Sequence, residues 1–431
     1  MFRWITKIIS PRLILLLFSA LIILSYLGNL VYRRTRIPDL VWLLLFGIIV
    51  GPVMGLIPEE VFMEISPVVS VTSIILITFE AGADTSLDNL LQIIRKTAGL
   101  TFVTFIFIVV TTGLILPYLY PDFGIVNSMI LGTMLGGLST VAVTGLLDQL
   151  RKIIKGMDKV RSILLLESTI VDPVRIMVAV SLIQIHIRGD IMILESLRDV
   201  YVIFTIGSLL GFIIGLAWTL ILHRLRGRQF NYLLTLAVLF QVYFLAEALA
   251  GEGGGTMACF TFGLALANYR RFTERLGFRP RIDRKSLMEF NNEVLFIFKS
   301  YYFVYTGLIV TLDRRLLYIG SILTILLIVI RLIAGTAVGI ALNFEKIEMV
   351  MTRLTYPLGT SALVFAQLPV LYDPEGKAFA DPNIFSNIIF PVVLGSILFY
   401  SLIAPQIMKL QLKEDTKEEP DEKEKQKEAK G

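Results

Sequence analysis

The chain is poor in the residues that build cross-linked or metal-centred sites. Its 431 residues include one cysteine, Cys259, and two histidines, His186 and His223. One thiol cannot make an internal disulfide framework or a Cys-rich metal site. The two histidines lie far apart in the chain, which argues against a zinc enzyme. Charge is scarce as well: Asp, Glu, Lys and Arg make up 17% of the residues, against 55% hydrophobic. No stretch between apolar runs exceeds 22 residues, and none carries a nucleophile–base pair or a ligand cluster. A membrane enzyme or a soluble globular domain is therefore disfavoured. What is abundant is apolar sequence, in runs long enough to cross a bilayer from one end of the chain to the other. In such a chain the net charge of +5 concerns orientation rather than nucleic acid.

Thirteen membrane segments are expected, at 12–30, 39–57, 64–80, 97–119, 125–147, 162–187, 199–222, 230–250, 253–269, 292–310, 317–342, 354–370 and 386–409. The N-terminal apolar run lacks a clean small-x-small cleavage site and reads as an uncleaved first helix. The loops at 31–38, 81–96, 148–161, 223–229, 270–291 and 343–353 hold 22 Lys and Arg, and the intervening loops hold five. The basic set is expected on the cytoplasmic side, with the N-terminus outside and the C-terminal tail inside. Arg3, Lys7 and Arg12 weigh mildly against that orientation. The membrane domain spans 1–410. From Gln411 to Gly431 the composition changes to eight acidic and six basic residues in 21, which reads as a disordered cytoplasmic tail.

Two segments read as broken. The fifth contains Gly132, Gly136, Gly137, Ser139 and Thr140, and the twelfth contains Pro357, Gly359, Thr360 and Ser361. Small residues also permit close helix packing. Their placement seven segments apart, with a shared LG-[G/T], fits an inverted repeat built on two discontinuous helices.

Charge inside the sixth segment is the main chemical signal. Asp172 lies near its middle, where an ionised carboxylate is costly and usually functional. A carboxylate takes a hard monovalent cation or a proton, not comfortably both. Ser168 precedes it by one helical turn and offers a hydroxyl oxygen. The competing structural reading pairs Asp172 with Arg175. Glu167 points about 140° away from Asp172 on a regular helix, so the two acids are not a shared dyad. It needs its own partner, and Arg331, deep in segment eleven, is a plausible one, with Arg175 a competitor for either acid. Lys299 in segment ten is explained by snorkelling as well as by function. Glu80 and Glu247 suit either an access funnel or simple interfacial placement.

The order of these stretches resembles the cation/proton antiporters of the sodium/proton exchanger superfamily, on their archaeal and bacterial NhaP-like side. The resemblance rests on RRTRIPDLVWLLLFGIIVGP, LGTMLGGLSTVAVTGLL, LLLESTIVDPV, GEGGGTMACFTFGLALAN, YYFVYTGLIV, VIRLIAG and YPLGTSALVFA, in that order over residues 12–409. It implies an all-α fold of the NhaA-like antiporter type, with inverted repeats and two crossing discontinuous helices. Core helices at about 125–187 and 317–370 would move by alternating access against a bundle that forms a homodimer. It implies that Asp172 alternately carries cation and proton, that Ser168 lies near the ion, and that Glu167 pairs with Arg331. Relatives carry Asn-Asp or Asp-Asp where this chain has Val171-Asp172, and a Thr-Asp-Pro where it has Leu138-Ser139-Thr140. Hydroxyls of Ser139 and Thr140 would replace the lost acid, and one carboxylate fits electroneutral exchange of Na+ or K+ for one proton. Arg175, Lys299 and Glu80 would be accessory. The implied partners are a monovalent cation, a proton, the lipid bilayer of the cell membrane and a second copy of the chain. No cofactor and no nucleic acid are expected. A cation channel or a regulated cation efflux pathway using the same acid is the alternative, although one central acid does not make a ring of sites.

Overall fold

The computed structural model describes residues 19–28, 30, 39–55, 66–85, 87–151, 157–189, 201–225, 228, 230–251, 253–274, 283–310, 313–373 and 376–413. The start of the first expected segment and most of the charged tail lie outside these residues. Seventeen helices are placed in chain order: α1 (19–28), α2 (Asp39–Ile48, continued by a π turn Ile49–Val53), α3 (Ser66–Asp84), α4 (Leu87–Leu119), α5 (Gly124–Leu135), α6 (Thr140–Arg151), α7 (Asp158–Arg188), α8 (Ser208–Arg224), α9 (Asn231–Ala250), α10 (Gly254–Thr273), α11 (Arg284–Ile309), α12 (Arg314–Ala341), α13 (Lys346–Arg353), α14 (Thr360–Phe365), α15 (Leu368–Tyr372), α16 (Ile384–Leu398) and α17 (Ala404–Lys413). No strand occurs among the described residues.

Helix is what these sequences must form at bilayer depth, because only intra-segment hydrogen bonds satisfy the backbone there. Polar side chains define several starts. Asp283 accepts from Ser286 N at the head of α11, Asp313 accepts from Arg315 N at the head of α12, and Glu345 with Glu348 forms a capping box on α13. Among the described residues, five helical stretches are long and apolar enough to cross a membrane by themselves: Ile93–Leu119, Thr205–Arg224, Asn231–Ala250, Arg314–Ala341 and Ile384–Leu412. The other spans are short, broken or interrupted by polar residues. Two of the broken ones form the candidate site.

The fifth expected segment is two helices, α5 and α6, joined by an extended link at residues 137–139. The twelfth is also broken, but its bounds differ from those read in the sequence. Residues 346–353, taken as loop, form its first half α13, and α14 and α15 follow an extended stretch at 355–359. The charged residues of α13 hid it: Glu348 and Arg353 lower its hydropathy, although Glu348 is buried.

Packing follows two sets of neighbours. Helix α10 packs along α3, α8 and α9, and α11 packs on α2 and α3. The α3–α10 contact is close because a Cβ at Gly82 or Gly263 would collide with the facing backbone of Phe260 or Phe79. Helix α4 packs on α5, α7 and α12, and α12 packs on α13 and α16. The two sets meet where α7, α14 and α15 lie against α3, α10 and α11. That seam holds the site.

Candidate functional site

The two breaks cross each other. Ser139 N donates to Pro357 O at 2.8 Å, so one extended link satisfies the other. A Cβ on Gly359 would clash with Ser139, which is why the crossing needs a residue without one. Leu358 N donates to Ser396 Oγ at 3.2 Å, and Ser139 Oγ accepts from Ala142 N at 3.3 Å and caps α6. Two N–H groups of the non-helical links, those of Ser139 and Leu358, thus find acceptors across the crossing or on α16.

Helix α7 runs past the crossing. Asp172 is 8% exposed and sits beside Ser361 Oγ, within hydrogen-bonding reach. Ser168 Oγ accepts from Thr140 Oγ1 at 2.9 Å and donates to Leu165 O at 2.8 Å. Pro173 has no N–H, so the carbonyl of Thr169 loses its helical donor one turn before the acid. Asp172, Ser168, Ser139, Thr140 and Ser361 all line one cavity of about 430 Å³. Its wall continues past Lys299 and Glu80 to Asp84 and Thr85 at the end of α3, and to Ser162 near the start of α7. It therefore runs to the last turn of α3 and the first turns of α7. Such a set offers one anion and several neutral oxygens at the end of a partly polar funnel, which suits a hard monovalent cation.

Two arginines lie against α7 in related ways. Arg331 on α12 is fully buried and binds Glu167 with a fork, Nη1–Oε1 at 2.5 Å and Nη2–Oε2 at 2.8 Å. Its Nε donates to Thr352 O at 2.7 Å in the last turn of α13, and its Nη1 also reaches Thr104 Oγ1 at 3.3 Å. Arg175, also buried, places Nη2 2.8 Å from Asp172 Oδ1 and donates Nη1 to Met134 O at 3.2 Å in the last turn of α5. Its guanidinium stacks 4.4 Å from the centre of the Phe365 ring. A Cβ on Gly137 would lie 2.5 Å from Arg175 Nη1, so Gly137 makes room for it. Each arginine thus faces the carbonyl end of one half-helix, where a cation offsets the helix dipole.

Both arginine pairings considered for the sixth segment therefore coexist: Glu167 takes Arg331 and Asp172 takes Arg175. Lys299 Nζ lies 3.6 Å from Glu80 Oε2 on the funnel wall. Glu247 is elsewhere; its carboxylate accepts from Gly253 N and Gly255 N at 3.0 Å each and caps α10. Ser361 and Asp84 are site residues that sequence reasoning did not assign. Ser361 carried a signal, because it follows the second break as Thr140 follows the first. Asp84 carried none until α3 and α11 met. Its half-exposed carboxyl, at the funnel mouth beyond the apolar span of α3, is pushed up to about 6. Loss of solvent is the largest cause, then the charge of Glu80, and Arg284 at 4.0 Å opposes both.

Comparison with known proteins supports the fold. The family model for the transmembrane sodium/hydrogen exchanger matches residues 17–413. Two solved structures of the sodium proton antiporter MjNhaP1 from Methanocaldococcus jannaschii share the fold. One, at pH 8, is 20% identical with a TM-score of 0.70 and covers 91% of this chain and 99% of that one. The other, from electron microscopy, is 19% identical with a TM-score of 0.69 and covers 94% and 98%. Curated protein sequences give no match.

Proposed function

The chain belongs to the transmembrane sodium/hydrogen exchanger family, a family of transporters rather than enzymes, and from that premise we propose that Asp172 is its ion carrier. The observation that carries the reading is Asp172 at the end of the funnel, ringed by hydroxyls where two broken helices cross. Sodium and the proton compete for this one carboxylate, so the site carries one or the other and never both. Coupling needs no further device. Potassium is a second cation of the right charge for the same oxygens.

Alternating access moves the site. The seam between the two helix sets is the surface on which α4–α7 and α12–α16 slide against α2, α3 and α8–α11. The second set then anchors a homodimer. The basic residues that follow α3 and precede α7 in the sequence support a cytoplasmic opening, with the tail on the same side. Ser168, Thr140 and Ser361 supply neutral oxygens to the cation. Ser139 holds the crossing and lends its oxygen only secondarily, since its hydroxyl already caps α6.

The test is sodium-driven proton flux in proteoliposomes. Asp172→Asn keeps the shape and removes the anion, so flux should fall to background while the protein still inserts and purifies. Exchange at the wild-type rate in that variant would remove Asp172 from the mechanism.

A further inference from the structure

Helix α7 separates two cavities of opposite character. Asp172 faces the funnel on one side. Ile170 and Val174 stand two positions before and after it, about 160° round the helix, and with Met177 they border a second cavity. This one has a volume of about 300 Å³ and lies between α7, α4 and α10, to which α10 contributes Met257 and Leu264. Each of these two stripes covers about 10 Å of helix. Among the described residues its walls are apolar except for Thr85, whose Oγ1 already donates to Ala81 O at 2.8 Å. Such a cavity does not hold water, which needs several polar partners.

One end of it is closed by a single amide. At Asn268 the helix α10 departs from helical geometry, with φ −114° and ψ 15°. Its Nδ2 donates to Thr85 O at 2.8 Å and to Leu264 O at 2.9 Å, and its Oδ1 accepts from Leu87 N at 2.8 Å. All three partners line the cavity. Past this joint α4 and α10 are not packed on each other, although both touch α7, and the gap between them is a cleft. At its edge on α4 stands Phe102, 45% exposed. Ile106, Val110 and Leu114 continue that exposed row at four-residue spacing, along a helix apolar enough to cross a membrane by itself. The cleft therefore opens onto a face that the bilayer covers. Beyond Phe102 at that depth lies hydrocarbon, and an unfilled gap would forfeit dispersion contacts on every wall.

We propose that this cleft is a binding site for one acyl chain of a bilayer phospholipid, which enters past Phe102 and lies along α7 behind Asp172. Apolar stripes on three helices, a closed end and a mouth in the lipid-facing surface suit a single extended chain. The site goes beyond the antiport reading, and its consequence for the cycle rests on that reading. Thr85 borders both the cleft and the funnel, so the two share a wall. The cleft also lies in the seam on which the core slides, with α4 and α7 in one helix set and α10 in the other. A chain lodged there props α4 and α7 away from α10 while the funnel is open, and it must withdraw before the two sets close that gap. Membrane lipid then sets how readily the exchanger leaves the funnel-open state.

The experiment is photolabelling of the full-length protein in phosphatidylcholine vesicles, using a phosphatidylcholine with a diazirine at the end of one acyl chain, followed by mass spectrometry of the peptides. Sodium-driven proton flux is measured in the same vesicles. Ile106 is 52% exposed and reports ordinary contact with the bilayer, whereas Met257 is 3% exposed and is reached from inside the cleft. Label is expected on both. Val174→Phe fills the cleft from α7, so label at Met257 should be lost while label at Ile106 stays. Flux in that variant should fall, because the filler cannot withdraw. Leu264→Phe fills the cleft from α10 and serves where Val174→Phe does not fold. Label on Ile106 without label on Met257 in the wild type overturns the proposal, whether the cleft is then empty or covered by a second copy. So does label at Met257 that persists in a filled, folded variant. Wild-type flux in a filled variant that has lost the label upholds the site and overturns its role in the cycle. Label at Met257 in a wild type that shows no sodium–proton flux upholds the acyl-chain site and overturns antiport alone.

Discussion

Two arginines at bilayer depth, each beside an acid of α7, are the residue-scale feature from which most of the energetics follows. Arg331 is expected to behave as a structural clamp. Replacing it with Ala strands Glu167 as a buried, unpaired acid, a loss of about 3–5 kcal/mol. Thermal unfolding in detergent should show a clear drop for Arg331→Ala and partial recovery in the double variant with Glu167→Ala. Failure of the double variant to recover would mean that the two side chains do not depend on each other. Asp84 is expected to act at a distance. Its carboxyl, pushed up to about 6, is charged above that pH and neutral below it. When charged it adds negative potential at the funnel mouth, which concentrates cations there. Asp84→Asn should therefore raise the sodium concentration for half-maximal flux by about twofold near pH 7.5, with little effect near pH 5 and less at high ionic strength. An equal change at both pH values would assign the effect to packing.

At the scale of elements, the crossing of two broken helices depends on residues chosen for what they omit. Gly359 lets the second break pass over Ser139, and Gly137 leaves the space that Arg175 fills. Gly359→Val should force the links apart, with an overpacking cost of about 1–3 kcal/mol. Sodium-driven flux should be lost more completely than folding, because the Ser139 N to Pro357 O bond and the hydroxyl ring both depend on that approach. A variant that melts lower but exchanges at the wild-type rate would show that the crossing is scaffolding only. The helix ends matter in the same way. Four half-helix termini meet near α7, and the arginines answer the two carbonyl ends at Met134 and Thr352.

For the whole molecule, the charge carried through the cycle is the quantity that decides how the exchanger is driven. With Arg175 permanently charged, the empty Asp172 site is neutral overall, and it carries one positive charge with either sodium or a proton. The two half-cycles then move equal charge in opposite directions, so one-for-one exchange is electroneutral. A potential of about 100 mV acts on each net elementary charge with roughly 2.3 kcal/mol. Clamping vesicle potential with valinomycin and potassium should leave the steady rate of sodium–proton exchange nearly flat. A steep rise with potential would bring in a second proton, for which Lys299, beside the site on the funnel wall, is the nearest titratable candidate.

The sequence by itself determined the class of molecule, since repeated apolar runs without water-compatible domains leave helices in a bilayer as the only outcome. It also singled out Asp172 as the proposed ion carrier, a mid-membrane carboxylate with a serine one turn away. Asp172, Glu167, Arg175 and Arg331 were all legible as buried charges for the same reason. Their pairing was not: Arg175 was in reach of both acids by spacing, and only the passage of α12 and α13 past α7 gave Glu167 to Arg331. The first half of the second break was invisible because Glu348 and Arg353 read as loop, although Lys96 Nζ meets Glu348 Oε2 at 2.5 Å and the helix is held in place. Ser361 and Asp84 entered the site through contacts between elements far apart in the chain. Local composition records the cost of burying a charge; which partner offsets that cost is a matter of which helices meet, and tertiary structure alone decides it.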